Sequence, residues 1–195
     1  MIDPENITKF DRTPLELEEF FLFGMFVCGK NAHVQAKKLE ELRIYMNVKR
    51  SWKAKIRGRD DLYHALYACR VGQYGRLCEA MWFWKHKTRW DLATCTVEDL
   101  MDIPGVGPKT SRFFLLHSRP NQKLAVLDTH VLAWLRDRHS YSIPTSTPGK
   151  RKYAELEKTF LYDCETLGKT PAELDLEIWT EYSGMRGLEI ERGQR

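Results

Sequence analysis

The cysteines of this chain form no recognisable metal-binding pattern. Five are scattered along 195 residues, no two have the C-x-x-C spacing, and none follows Cys164. Zinc ribbons and iron–sulfur proteins hold their metal through closely spaced cysteines, so the sequence indicates neither kind of site. We therefore expect thiols that pack as small apolar side chains, in a protein that uses no metal and no cofactor.

Long apolar segments and a strong charge imbalance are missing too. The apolar run at residues 20–28 is far too short to cross a bilayer, and the N-terminal residues lack the basic start and apolar core of a secretory signal. These absences predict a cytoplasmic protein with no membrane partner. The net charge of +4 is only weakly basic, so it is compatible with a nucleic-acid partner without indicating one.

Alternating strand patterns are also absent, and the apolar spacing is helical nearly throughout. A capping box with proline at the first helical position, residues 13–16, opens the first helix, and a second capping box, residues 170–173, opens the last. We therefore expect an all-α protein. The pattern predicts helices over residues 14–28, 32–46, 97–103, 109–117, 129–137, 148–167 and 171–182. It also predicts a helix that Asp60 or Asp61 opens and that ends near residue 71, and a further helix ending near residue 87.

A basic segment at residues 47–59 carries six lysines and arginines around Trp52. It is either a solvated connection between helices or a flank that contacts phosphates. In the second case Trp52 would be an aromatic contact among the charges. The sequence leaves both interpretations open.

The most informative segment is the tight turn at residues 103–110, which reads IPGVGPKT between two helical patterns. A turn of this kind points backbone N–H groups outward at a helix N-terminus, which is a ready site for a phosphate. Gly105 and Gly107 let the backbone approach an anion closely, because no Cβ intervenes. Apolar Ile103 and Val106 are expected to hold the two helices together. By itself such a hairpin predicts only docking on DNA.

Two charged residues extend this prediction to chemistry. Lys109 stands in the first turn of the second helix, where the positive end of the helix dipole favours its uncharged, nucleophilic form. Asp128 follows nineteen positions later, at the end of an apolar run and just before a helix. An amine can form a Schiff base at a sugar C1′, and a carboxylate can stabilise a developing positive charge. The pair therefore suggests chemistry on a nucleotide sugar.

Each charged residue also has a plainer interpretation. Lys109 could be a surface lysine that contacts a phosphate, and Asp128 is well placed to cap the helix that starts at Thr129. Capping and chemistry are compatible, because a capping carboxylate is fixed in place and only partly neutralised. His130 is expected to pack or to contact a phosphate rather than to act as a base.

The hairpin and the aspartate motif together resemble a known family. IPGVGPKT followed by LDTHV, residues 127–131, is similar to the paired motifs of the helix-hairpin-helix, glycine/proline and aspartate superfamily of DNA glycosylases, to which endonuclease III belongs. Residues 71–74, VGQY, and residues 28–32, CGKNA, resemble two further loops of endonuclease III relatives. In those relatives the second loop inserts a polar side chain into the duplex.

The resemblance implies the architecture of the chain. The family fold is all-helical and has two lobes, with the active-site cleft between them. Residues 31–120 would form a central lobe that ends in the hairpin at about 96–117. Residues 1–30 together with 121–195 would form the second lobe.

The resemblance also implies roles for individual residues. Lys109 matches the lysine of the bifunctional members, which excise a base and then cut the strand as AP lyases. Asp128 matches their essential aspartate. Either Lys30 or Asn31 would fill the space left by an extruded base or contact its partner. The residues that match the phosphate-binding hairpin are Gly105, Val106, Gly107 and Thr110.

The chain departs from endonuclease III in lacking four C-terminal cysteines that hold an iron–sulfur cluster, so no cluster is expected. The resemblance then predicts a monomeric DNA glycosylase of the nucleoid-bearing cytoplasm. It would flip and excise a damaged or modified base from double-stranded DNA, as in base-excision repair. The substrate stays open between an oxidised pyrimidine, 8-oxoguanine, a mismatched base and a bulky phage-type modified base. The last of these would indicate a role in phage defence.

Three other functions also stay open. In a monofunctional glycosylase, Asp128 would activate water and Lys109 would only contact DNA. A catalytically inactive DNA-binding module would bind duplex tightly and form no abasic product. A transferase or base-modifying enzyme on the same scaffold would turn over only with a second substrate.

Overall fold

A computed structural model describes the backbone of residues 1–192 and the side chains of residues 1–183. All regular secondary structure in this part of the chain is helical, which confirms the predicted all-α class. None of the helices described is long and apolar enough to cross a membrane. The helices are α1 Pro14–Phe26, α2 Ala32–Tyr45, α3 Arg59–Ala68, α4 Tyr74–Lys87, α5 Val97–Met101, α6 Pro108–Ser118, α7 Thr129–Arg138, α8 Lys150–Leu167 and α9 Pro171–Arg192.

The chain divides into two compact units, unit 1 at Met1–Ser118 and unit 2 at Arg119–Arg195. The sequence prediction assigned residues 1–30 to the second lobe, whereas the structure packs them within unit 1. The physical reason is that α1 is apolar on all sides and needs neighbours all round. Helices α2, α4 and α6 of unit 1 supply those neighbours.

Aromatic rings form the centre of unit 1. The ring of Phe21 lies 5.4 Å from that of Trp84 and 5.4 Å from that of Phe114, in edge-on contacts. Burying one such side chain contributes roughly 1.5–3 kcal/mol. Gly24 lets α6 approach α1, because a Cβ at this position would lie 3.2 Å from Cδ1 of Phe113. The core therefore fixes α6, the second helix of the hairpin, against α1.

Trp52 belongs to this core and not to a DNA-contacting surface. Its side chain is fully buried, and its backbone N–H donates to Glu18 of α1. The hydroxyl of Ser51 donates to the same carboxylate at 2.9 Å. Burial raises the pKa of Glu18, and these hydrogen bonds act in the opposite direction. The interpretation of Trp52 as an aromatic contact among the charges is therefore wrong, because the ring is fully buried.

Unit 2 has its own core, formed by α7, α8 and α9. Leu132, Phe160 and Ile178 are among its fully or nearly fully buried side chains. Cys164 is buried in it as well, and burial raises the pKa of this thiol to about 12. All five cysteines lie in the described part of the chain and are thiols, and four of them are buried, as the composition predicted.

The starts of α8 and α3 differ from the sequence prediction. Helix α8 begins at Lys150 and not near Thr147, because the Thr147 hydroxyl donates to the carbonyl of Leu127 at 3.4 Å instead of capping the helix. Helix α3 begins at Arg59, so that Asp60 and Asp61 lie in its first turn. There they complement the helix dipole without serving as the cap.

Candidate DNA-binding and catalytic site

The predicted hairpin is present as α5, a glycine turn and α6. Thr96 opens α5 with a capping box that it forms with Asp99. Ile103 and Val106 are buried at the base of the turn, and the Val106 N–H donates to the carbonyl of Ile103 at 3.0 Å. Gly105 has a φ of +81°, a backbone conformation that favours glycine. The sequence thus folds locally into a rigid turn that ends where α6 begins.

The turn leaves a set of backbone donors unused. Such open donors at a helix N-terminus form a preorganised site for an anion. Gly105 is exposed and Gly107 is half-buried, so a ligand can reach this part of the turn. Among the described residues, no acceptor is bonded to the backbone N–H groups of Gly105, Gly107, Lys109 and Thr110.

Val106 and Thr110 occupy structural positions within the hairpin. The Val106 side chain is buried and its N–H is used inside the turn. The Thr110 side chain is also buried, with its hydroxyl 3.3 Å from Sγ of Cys28. Of these two backbone N–H groups, only that of Thr110 has no bonded acceptor among the described residues. The open donors of the predicted phosphate site are thus those of the two glycines and of the first turn of α6.

Lys109 follows these donors directly. It is the second residue of α6 and is partly exposed. Within the described part of unit 1, its amine forms no hydrogen bond and no ion pair. A lysine in this position can approach a ligand whose phosphate is held by the neighbouring amides.

The two loops that resemble endonuclease III relatives lie against each other. The Gln73 side chain donates from Nε2 to the Cys28 carbonyl at 2.8 Å, and the Lys30 amine donates to the Val71 carbonyl at 3.3 Å. Asn31 caps α2, because its side chain accepts from the N–H of Val34 at 3.0 Å. Lys30 and Asn31 are therefore exposed but already bonded. Inserting either side chain into DNA would require breaking one hydrogen bond.

Arg76 is a residue that sequence reasoning missed. Its guanidinium donates to the Met25 carbonyl at 2.6 Å and to the Gly105 carbonyl at 3.3 Å, and so connects the end of α1 with the hairpin. It also donates to Gln73 at 2.7 Å. A single arginine in a helix carries no sequence signal of such contacts, because its partners are backbone atoms.

In unit 2, Asp128 is the N-cap of α7, as predicted. Its Oδ1 accepts from the N–H of His130 at 2.8 Å and from the N–H of Val131 at 2.9 Å. Among the described residues, its Oδ2 has no hydrogen bond, and the residue is partly exposed. The carboxylate is thus fixed through one oxygen and open at the other.

Tyr153 holds the segment that leads to Asp128. Its hydroxyl is buried, donates to the Ala125 carbonyl at 2.8 Å, and accepts from the Leu127 N–H at 3.2 Å. Glu157 accepts from the Ala125 N–H at 2.9 Å. Tyr153 lies on the apolar face of α8, which marks it as a core residue in the sequence but gives no sign of its backbone partners.

No group of three or more histidine, cysteine, aspartate or glutamate side chains is placed to hold a metal ion among the residues that the structure describes.

Comparison with known proteins identifies the same segment as a helix-hairpin-helix motif. The family model of the helix-hairpin-helix motif matches residues 91–111, which include α5, the glycine turn and the start of α6.

Two solved structures of 8-oxoguanine DNA glycosylase from Methanocaldococcus jannaschii resemble most of the chain. One has a TM-score of 0.70 at 20% identity and covers 92% of this chain and 84% of that chain. The other, the glycosylase/lyase in complex with a 15mer DNA containing 8-oxoguanine, has a TM-score of 0.67 at 18% identity, with coverage of 89% and 84%. The chain therefore has the fold of these proteins, as the resemblance of its motifs predicted.

Proposed function

We propose that this protein is a DNA glycosylase that excises a damaged or modified base from double-stranded DNA. The observation that carries the proposal is the hairpin, in which open backbone donors lead directly to the unbonded amine of Lys109. A fold shared with a DNA glycosylase supports it. The protein would act as a monomer in the nucleoid-bearing cytoplasm.

Binding begins at the hairpin. The amides of Gly105 and Gly107 hold a phosphate beside the target nucleotide, and the base is extruded from the stack. Extrusion costs a few kcal/mol and is easiest for a damaged or poorly paired base, which gives some selectivity before any chemistry. The side chain of Lys30 or of Asn31 fills the space that the extruded base leaves in the duplex.

Chemistry follows at the sugar. After giving up a proton, the amine of Lys109 attacks C1′ while the bond from C1′ to the base breaks, and the departing base takes up a proton. The carboxylate of Asp128 stabilises the positive charge that develops on the sugar. The nitrogen then loses a proton, the C1′–O4′ bond breaks as O4′ takes up a proton, and the opened sugar carries a protonated imine between Lys109 and C1′. A base then removes a proton from C2′, and the 3′ phosphate leaves by β-elimination.

The capping geometry of Asp128 supports this role. One carboxylate oxygen is bonded to two backbone N–H groups, and the other is open. A carboxylate held in this way needs little reorganisation when charge develops beside it, which is the basis of electrostatic preorganisation. The same open oxygen could instead hold an attacking water, in which case the enzyme would be monofunctional.

The first substrate to test is 8-oxoguanine, because both structural neighbours are 8-oxoguanine glycosylases. A bulky phage-type modified base is the second, and its excision would give the protein a role in phage defence. The panel is completed by an oxidised pyrimidine and a mismatched base.

The test uses duplexes of one sequence that each carry a single altered base, including 8-oxoguanine and glucosylated hydroxymethylcytosine. We expect an alkali-labile site at the altered base of at least one duplex, and strand cleavage without alkali if the enzyme is also a lyase. Tight duplex binding with no abasic product on any member would support the inactive DNA-binding module instead. Turnover that appears only with a second substrate would support a transferase.

A further inference from the structure

Arg76 contacts three separate segments of unit 1 through one guanidinium group. It donates to Oε1 of Gln73 at 2.7 Å, to the Met25 carbonyl at 2.6 Å and to the Gly105 carbonyl at 3.3 Å. The first contact lies in the loop at residues 71–74, the second at the end of α1, and the third in the hairpin. Because a guanidinium is planar and presents its donors in fixed directions, these bonds constrain the relative placement of the three segments.

The aliphatic part of the Arg76 side chain also packs against the hairpin, at Gly105. A Cβ at Gly105 would lie 2.9 Å from Cγ of Arg76, so the arginine side chain can take this position only because residue 105 is a glycine. The peptide after Gly105 is held at both ends, because its carbonyl accepts from Arg76 and its N–H, that of Val106, donates to Ile103. Fixing this peptide sets the direction of the neighbouring open amides of Gly105 and Gly107.

The constraint extends to the loop between α1 and α2, residues 27–31, which contains Cys28, Lys30 and Asn31. Gln73, which accepts from Arg76, donates in turn to the Cys28 carbonyl at 2.8 Å. Lys30 donates to the Val71 carbonyl in the same pair of loops. The hairpin amides proposed to bind a phosphate and the loops at residues 27–31 and 71–74 are thus connected through Arg76.

We propose that Arg76 is a positioning residue for base extrusion. It holds the hairpin amides in register with the loops at residues 27–31 and 71–74, so that the phosphate anchor and the loops act on the same nucleotide. This role rests on the proposed function. It differs from a simple phosphate contact, because the arginine acts through the geometry of its three acceptors and not through its charge alone.

The test compares binding to two duplexes of one sequence, one intact and one carrying a tetrahydrofuran analogue of an abasic site, by fluorescence anisotropy. The analogue has no base to extrude and needs no excision, so the readout is independent of the substrate. The informative variant is Arg76→Lys, which keeps the charge but cannot span three acceptors. Arg76→Ala removes both properties, and Arg151→Ala removes an exposed arginine of unit 2 as a charge-matched control.

We expect Arg76→Lys and Arg76→Ala each to weaken binding of the abasic analogue about tenfold or more, the scale of losing hydrogen bonds from a charged group. For Arg76→Lys, affinity for the intact duplex should stay within about threefold, because sequence-independent binding depends mainly on charge. Arg151→Ala should bind both duplexes like the parent.

Two results would overturn the proposal. In the first, Arg76→Lys binds the abasic analogue as tightly as the parent, which would show that only the charge matters. In the second, Arg76→Lys loses its cooperative thermal unfolding, which would show that the arginine supports unit 1 as a whole. Failure of the proposed function is distinguishable, because the parent protein would then excise no base on the panel while the binding comparison remained measurable.

Discussion

Unit 1 and unit 2 each carry one of the two proposed catalytic residues, and they hold them in different ways. Lys109 lies in the first turn of α6, next to unused backbone donors, and its amine has no partner in the described part of unit 1. Asp128 is held by two backbone N–H groups at the start of α7. Tyr153 supports the chain immediately before it.

This difference fits the tasks that the two residues would have. A nucleophile must leave its resting position to form a bond, so a hydrogen bond to the amine would have to be broken first. An electrostatic stabiliser acts best when it is fixed before charge develops. The comparison predicts that substitutions around Asp128 slow base excision by moving its carboxylate. Substitutions of Lys109 should slow it by removing the amine itself.

The largest expected effect is that of Asp128→Asn. Asparagine caps helices about as well as aspartate, so the free energy of unfolding should change by less than about 0.5 kcal/mol. Base excision should fall by about a hundredfold to a thousandfold, because the charge that stabilises the sugar is lost. Single-turnover excision and thermal unfolding measure the two quantities. Excision at the parent rate would show that Asp128 is only a helix cap.

Tyr153→Phe tests whether the geometry before Asp128 matters. It leaves the Ala125 carbonyl and the Leu127 N–H without their shared partner, and should lower the free energy of unfolding by about 1–3 kcal/mol. Excision should slow by about tenfold to a hundredfold as Asp128 shifts. Tyr141→Phe, which removes an exposed hydroxyl bonded to Thr159, is the control and should change neither. Loss of stability without loss of excision would limit Tyr153 to folding.

Substitutions of the two hairpin glycines distinguish an effect on phosphate binding from an effect on stability. Gly107→Ala meets no atom within 4 Å and should leave stability within about 0.5 kcal/mol, yet its Cβ should weaken DNA binding about tenfold if a phosphate approaches there. Gly105→Ala should lose about 1–3 kcal/mol of stability as well, because of its positive φ and the contact with Arg76. Unchanged affinity in Gly107→Ala would place the phosphate elsewhere.

A second capping carboxylate, Glu16 in unit 1, gives the smallest expected effect. Hydrogen bonds from Lys9 and Thr13 lower its pKa from 4.5 to about 2. The stabilisation is therefore fully present above pH 4.5 and is lost as the pH falls towards 2. Glu16→Ala should lower stability by about 1 kcal/mol at pH 7 without changing excision. Denaturant unfolding between pH 2 and pH 7 should show the two proteins converging at low pH, and a constant difference would contradict this.

The sequence predicted those parts of the site that depend on local chemistry. The glycine turn, the capping of α7 by Asp128 and the position of Lys109 in a first helical turn follow from residue types at short spacing. The contacts of Arg76 and Tyr153 could not be predicted, because their partners are backbone carbonyls and N–H groups distant in sequence. The placement of α1 within unit 1 depends on packing on all its sides, which periodicity does not reveal.

The most direct test of the central claim is borohydride trapping on the duplex that the protein cleaves. The parent and Asp128→Asn retain the amine of Lys109, and Lys109→Gln does not. The account predicts a covalent protein–DNA adduct with the parent, a strongly reduced adduct with Asp128→Asn, and none with Lys109→Gln. Base release by Lys109→Gln at the parent rate, or an adduct that survives this substitution, would contradict the assignment of Lys109 as the nucleophile.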